Sequence, residues 1–314
     1  MRRTFFIVGA TATGKSELAA DVAREIGAEI VSADAFQIYR GLDLLTAKPD
    51  AATLAKAQHH LIGTTPLREE MNAEKYRRAA SRVIDEIHSR GKLAIVVGGS
   101  GLYVKALTHG LAPLPESDPK LRERLNAMSL DELRSRLSEL DSEAAGRIDM
   151  KNRRRVVRAV EICLRTGKPV SEVVAGVGDS GQPGSTIPAT GVFVFRDREE
   201  LYARINQRVE AIFESGVIEE VRAAREVSAT ASQMIGFREI RQLLNGPADA
   251  GSITQCVVAI QQATRRYAKR QLTWFRRQTN FSPLNLSLLT HNEAGILLRN
   301  RLERRKFSGV RAKE

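Results

Sequence analysis

The segment Gly9-Ala10-Thr11-Ala12-Thr13-Gly14-Lys15-Ser16 stands directly after the apolar run Thr4 to Val8 and directly before Glu17 to Ile26, whose helical spacing stops at Gly27. Strand, glycine-flanked loop and helix in that order form a phosphate-binding loop. The glycines let backbone amides converge on phosphate oxygens, Lys15 supplies a point charge and the Ser16 hydroxyl can ligate magnesium. Such a loop belongs at the C-terminal edge of a parallel sheet, which directs the reading of the rest of the chain.

The pattern that follows is consistent with that frame. Glu29 to Ala33 reads as a second strand, Glu74 to Ser89 as a helix ending before Gly91, and Leu93 to Val97 as a third strand. Strands alternating with helices imply a parallel sheet covered on both faces. From Ser117 to Arg165 strand signals stop and helix starts recur, at Asp118 before Pro119, at Ser129 before Asp131-Glu132 and at Asn152. Gly176 to Pro188 reads as a flexible connection, Gly191 to Phe195 as a returning strand, and Arg198 to about Gln278 as helices. The expected fold is therefore an α/β, P-loop NTPase-like parallel sheet flanked by helices, with an all-helical insertion domain. Its expected parts are 1–115 and 189–298 for the core, 116–188 for the insertion and 299–314 for a basic flexible tail.

The loop alone does not say which phosphates it holds. Nucleotide hydrolases carry an Asp at the end of a core strand to position magnesium and water. Here the third strand ends in Gly98-Gly99-Ser100-Gly101 instead. A diphosphate leaving during group transfer would need the cradle without that apparatus. Asp34 follows the second strand on the same sheet edge, where it is either a magnesium ligand or proton acceptor, or an N-cap for the segment starting at Ala35.

Charge is concentrated rather than spread. The formal net charge is +12, yet residues 147–168 alone carry +6 and residues 264–278 another +6 without a single acid. Localised charge of this kind is the footprint of a polyanion-binding face. Cys163 and Cys256 lie in apolar helical patterns without metal-ligand spacing, so both are expected to be buried and reduced. No stretch approaches the ~20 apolar residues needed to span a bilayer. Met1-Arg2-Arg3 leads into a strand rather than a signal sequence, and a cytoplasmic protein is expected.

Several motifs together resemble the tRNA dimethylallyltransferases. They are the phosphate loop, Ser32-Ala33-Asp34-Ala35-Phe36-Gln37-Ile38-Tyr39-Arg40-Gly41, Thr46-Ala47-Lys48-Pro49, Val97 to Tyr103, Arg155 to Glu161, Ile235 to Glu239 and Thr264 to Arg276. The resemblance implies that dimethylallyl diphosphate is the donor, held with Mg2+ by Gly9, Ala10, Thr11, Ala12, Thr13, Gly14, Lys15 and Ser16, with Ser16 on the metal. It implies that Asp34 takes a proton from the exocyclic amine of an adenosine beside the anticodon and that Ser100 sits by the reacting groups. It implies tRNA contacts, to the anticodon stem-loop, from Asp34, Ala35, Phe36, Gln37, Ser100, Arg122, Arg154, Arg155, Val156, Val157 and Arg158. Arg204 and Arg208 would add charge near the diphosphate, and the enzyme would act as a monomer. The chain departs from the family pattern at Ala10, Ala35, Leu45, Gly63 and Arg154. His59-His60 is read as structural, because adjacent histidines do not easily share one metal.

Two other functions remain open at this point. A small-molecule or nucleotide kinase with a helical lid would use the loop and Asp34 but not the basic clusters. An RNA-binding protein switched by nucleotide would leave Asp34 and Ser100 without a task.

Overall fold

A computed structural model describes residues 4–112, 114–175, 190–246, 249–278 and 280–308. The chain divides into two compact units, Met1–Thr108 with Ile187–Glu314, and His109–Thr186.

The first unit is built on six strands, β1 (Thr4–Gly9), β2 (Glu29–Ser32), β3 (His59–His60), β4 (Ala94–Gly98), β5 (Gly191–Phe195) and β6 (Phe281–Asn285). They form one parallel sheet in the order β3-β2-β4-β1-β5-β6. The alternation of side chains along each strand sorts the core into two layers. Phe5, Ile7, Ile95, Val97, Val192 and Val194 point to one face, where they meet Leu18 and Val22 of α1 (Lys15–Ile26). Phe6, Val8, Val96 and Phe193 point to the other face. There they meet Tyr76 and Ile84, which belong to a helix that follows β3. Strands buried on both faces read as continuous apolar runs, as β1 and β4 do.

Between β2 and β4 come α2 (Ala51–Ala55) and α3 (Ala73–Ser89), and β4 leads into α4 (Gly101–Thr108). The expected strands and the helix at 74–89 agree with the observed elements to within a residue or two. His60 Nε2 meets the buried Glu29 carboxylate of β2 at 2.8 Å, which ties β3 into the sheet, and His59 Nδ1 meets the Ala57 carbonyl at 2.8 Å, which holds the turn before β3.

The second unit contains α5 (Pro119–Ala127), α6 (Leu130–Leu140), α7 (Ser142–Arg147), α8 (Arg153–Thr166) and α9 (Val170–Ala175). The anticipated caps form. Asp118 accepts from Lys120 and Leu121, Ser129 and Glu132 make a reciprocal capping box, and Asn152 accepts from Arg155. Leu125, Leu133, Leu137, Val156 and Val160 fill its separate core, and Cys163 is buried with them. The unit begins at His109 rather than at 116, because Leu114 packs on this core and Pro115 accepts from Arg158. The expected connection at 176–188 lies outside the described residues.

After β5 the expected helices are α10 (Arg198–Glu214), α11 (Val217–Ala223), a short turn of 3₁₀ helix, α12 (Phe237–Leu244) and the 27-residue α13 (Ala250–Arg276). Then come β6 and α14 (His291–Ser308). The tail expected from 299 is corrected to a helix through Ser308, for two reasons. Leu298 and Leu302 fit the same apolar layer as α1, and Arg299 pairs with Glu25. Residues 309–314 lie outside the described residues. No helix of the described residues is long and apolar enough to cross a membrane.

Candidate active site at the phosphate loop

Parallel register brings three strand ends together. Val8 lies beside Gly98, Ser32 lies beside Val97, and the Ala33 carbonyl accepts from Ser100 N at 3.2 Å. The loop after β1, Asp34 after β2 and Ser100 after β4 therefore share one edge of the sheet. Gly98 permits this closeness, since a Cβ there would lie 2.2 Å from the Ala33 carbonyl oxygen.

The loop itself is braced from several sides. Gly14 adopts φ 89° and Ala12 φ 64°, the left-handed region, in which alanine is strained. Thr13 Oγ1 and Lys15 Nζ both donate to the Ala10 carbonyl, at 3.0 and 3.2 Å. Three arginines hold the next residues in turn. Arg208 donates to Thr11 Oγ1 at 2.8 Å, Arg204 to the Ala12 carbonyl at 2.9 Å and Arg196 to the Thr13 carbonyl at 2.9 Å. Arg204 and Arg208 are one helical turn apart on α10, which sets both over the loop. Arg196 belongs to no recognisable motif, and the signal for it in the sequence is its place directly after β5, on the edge that carries the loop.

Packing this much positive charge into a partly dehydrated space disfavours protonation. Lys15 is lowered to about 8 by burial, against the opposing pull of Asp34, with Arg208 lowering it further. Burial also lowers Arg208, while Asp34 favours its charge. An incoming polyanion would relieve that repulsion.

Asp34 divides its work between its oxygens. Oδ1 accepts from Phe36 N at 2.9 Å and Gln37 N at 3.2 Å, which fixes the carboxylate, and the residues that follow form a turn rather than a helix. The cap-like bonding expected as one alternative is thus present, and it occupies one oxygen only. Ser100 Oγ accepts from Ala35 N at 2.9 Å, and Gln37 donates to the Ala47 carbonyl at 2.8 Å. Tyr267 stands over this group. Burial and the nearby Asp34 push its hydroxyl well above the usual phenol range, and it interacts with Ser100 and Gln271.

A cavity opens between the loop and these residues. Its polar lining includes Thr11, Asp34, Arg208 and Tyr267, and its apolar lining includes Phe36, Leu44, Leu45, Ile212, Met234 and Ile260. A mostly apolar cleft with a few charged and polar groups suits a ligand with a charged head and a short hydrocarbon body.

The remaining expected residues lie in the helical unit. Arg154 and Arg155 are exposed on α8. Arg158 donates to Glu161 Oε2 at 2.5 Å, and Arg122 donates to both oxygens of the same fully buried carboxylate at 3.2 and 3.3 Å. Val156 and Val157 differ in setting from their arginine neighbours. Both are buried in the core of this unit, because the helical period that exposes Arg154 and Arg155 turns the valines inward, so their side chains are closed to a partner.

Residues 37–278 match the family model described as IPP transferase. The tRNA dimethylallyltransferase 1 of Citrifermentans bemidjiense is 42% identical over 276 residues, covering 87% of this chain and 88% of that protein. The tRNA dimethylallyltransferase of Geobacter sulfurreducens is 43% identical, covering 86% and 88%. The crystal structure of the full-length tRNA isopentenylpyrophosphate transferase of Bacillus halodurans superposes with a TM-score of 0.69 at 31% identity, covering 96% of each chain. With the phosphate loop, Asp34 and Ser100 on one sheet edge and the helical unit all present in a chain that matches over most of its length, this protein belongs to the IPP transferase family.

Proposed function

We infer that this chain transfers a dimethylallyl group from dimethylallyl diphosphate to the exocyclic amine of the adenosine 3′ of the anticodon in tRNA, releasing diphosphate. The observation that carries this reading is the cavity, in which Thr11 of the braced phosphate loop, Arg208 and Asp34 share one mostly apolar lining. The nucleotide-kinase alternative does not call for that apolar lining.

In the reaction a bond forms between the adenine nitrogen and the allylic carbon as the carbon–oxygen bond to diphosphate breaks. The amine lone pair is delocalised into the ring, so removal of its proton during attack assists the step. Asp34 Oδ2 is the acceptor in this reading, with Oδ1 held by the Phe36 and Gln37 amides. Lys15, the loop amides, Arg204 and Arg208 stabilise the charge that develops on the leaving diphosphate. Ser100 sits beside the base in this reading and braces the loop after β2 by accepting from Ala35 N. An adenosine must be splayed from its stack to be reached, which favours a single-stranded loop as the target.

The loop fits magnesium in a limited way. Among the described residues the only cluster of three ligating side chains is Glu17, Asp21 and His291, which does not include the loop's Ser16. Magnesium commonly takes one or two protein oxygens and completes its shell with phosphates and water, so Ser16 would hold it against the diphosphate. Bound there, it would neutralise charge on the departing group. Arg154, Arg155, Arg158 and Arg122 contact the tRNA backbone in this reading, with Phe36 and Gln37 closer to the target base.

The test is transfer of labelled dimethylallyl diphosphate to bulk tRNA, run beside ATP consumption without RNA. Label in tRNA without ATP use supports prenyl transfer. ATP turnover with a small acceptor and unlabelled tRNA would replace it with a kinase.

A further inference from the structure

Gln271 lies in α13, on the face that packs against the sheet edge, and is 5% exposed. Its Oε1 accepts from Thr11 N at 2.9 Å and its Nε2 donates to the Gly99 carbonyl at 2.9 Å. One planar amide thus spans the phosphate loop after β1 and the Gly99-Ser100 loop after β4. The seat is close-fitting, since a Cβ on Gly99 would fall 2.2 Å from Gln271 Nε2, so only glycine leaves room. Tyr267, four residues earlier and on the same face, interacts with both Gln271 and Ser100, and Ser100 in turn accepts from Ala35 N beside Asp34. A continuous set of hydrogen-bonding groups therefore runs from the diphosphate side to the acceptor side through Gln271.

We propose that Gln271 is a positioning residue that couples the two halves of the site, so that a diphosphate in the loop and an RNA base at Ser100 each raise the affinity for the other. The proposal rests on the function inferred above. The physical reason is that the amide fixes the distance between Thr11 N and the Gly99 carbonyl. A ligand that orders either loop also orders the other, which lowers the entropic cost of the second ligand. Coupling of this kind is reciprocal and commonly amounts to about fivefold or more in affinity.

The experiment measures binding of inorganic diphosphate with magnesium to the full chain, with and without an unreacted anticodon stem-loop RNA. The unaltered protein should bind diphosphate about fivefold or more tightly when RNA is present. Gln271→Met preserves length and burial but neither hydrogen bond, and should reduce that ratio to within about twofold while leaving RNA affinity alone nearly unchanged. Gln271→Glu keeps the acceptor for Thr11 N and removes the donor to the Gly99 carbonyl, and should also lose the ratio. A ratio retained in both variants, or absent in the unaltered protein, overturns the proposal. So does loss of folding in both, because the amide would then be a support of the core. Prenyl transfer by the unaltered protein is measured alongside. Its presence with no coupling sinks this proposal only, whereas its absence sinks the functional reading.

Discussion

The arginines over the phosphate loop and those of α8 are the same residue type put to opposite uses. Arg196, Arg204 and Arg208 each donate to a backbone carbonyl or hydroxyl of the loop and are fixed before any ligand arrives. Arg154 and Arg155 stand exposed on α8. Arg122 and Arg158 are intermediate, half-exposed but anchored on the buried Glu161. Charges already fixed by hydrogen bonds, Arg204 exposed and Arg196 and Arg208 partly buried, can stabilise charge that develops during a reaction without reorganising. Free charges on a surface serve better for attraction and counterion release over a long polyanion. Under the proposed function, the first set would serve the chemistry and the second the capture of RNA.

The largest effect expected is on the chemical side. Asp34→Asn preserves the acceptor for the Phe36 and Gln37 amides but cannot take a proton, so single-turnover prenyl transfer should fall by roughly 10²–10⁴ while Tm and RNA binding hold. Near-normal turnover would leave Asp34 with its capping role alone.

On the capture side the largest effect should be on stability. Glu161→Ala strands Arg122 and Arg158 and should cost about 3 kcal/mol, the lower end for a broken buried pair because both guanidiniums still reach water. Denaturant unfolding measures it, and a loss below about 0.5 kcal/mol would show that the carboxylate anchors nothing.

Lys15 gives the comparison a pH signature. Its ammonium is lowered from the ordinary 10.5 to about 8 by burial, so diphosphate affinity should weaken as pH rises through about 8. Stability of the ligand-free protein should move the other way. Between about 8 and 10.5 the unfolded chain holds a proton that the folded chain has released, so unfolding takes up a proton and stability rises with pH. Isothermal titration at pH 7 and 9 reads the first trend and thermal melts read the second. A diphosphate affinity that does not fall would mean that the ligand avoids Lys15.

Replacing Arg154 and Arg155 together by Ala should flatten the log–log salt slope of tRNA binding by about 1.4–1.8, at 0.7–0.9 per phosphate, with little change in Tm. An unchanged slope would place the RNA backbone elsewhere. Smallest of all, Ala12→Gly relieves the left-handed alanine of the loop and should raise stability by about 0.5 kcal/mol, roughly 1–2 °C in Tm. A fall in Tm would mean that the entropy of the added glycine outweighs the strain.

What the sequence determined by itself is what depends on neighbours along the chain. Strands β1, β2, β4 and β5 follow from apolar runs, the loop from its glycine spacing, the caps at Asp118, Ser129 and Asn152 from residues two or three positions away, and the place of Asp34 from its position just after a strand. The tertiary structure decided what depends on partners far along it. Strand β6 carries Pro283 and alternates poorly, and it is a strand only because β5 pairs with it at the sheet edge, where proline is tolerated. Residues 299–308 are polar enough to resemble a tail, yet one apolar position in four, Leu298 and Leu302, suffices once the α1 layer is there to receive it. Gln271 meets Thr11 across 260 residues and Gly99 across 172, and Glu161 meets Arg122 across 39. Local periodicity carries no record of such pairs, because a side chain's own spacing says which face it occupies and nothing about what the fold will set against that face.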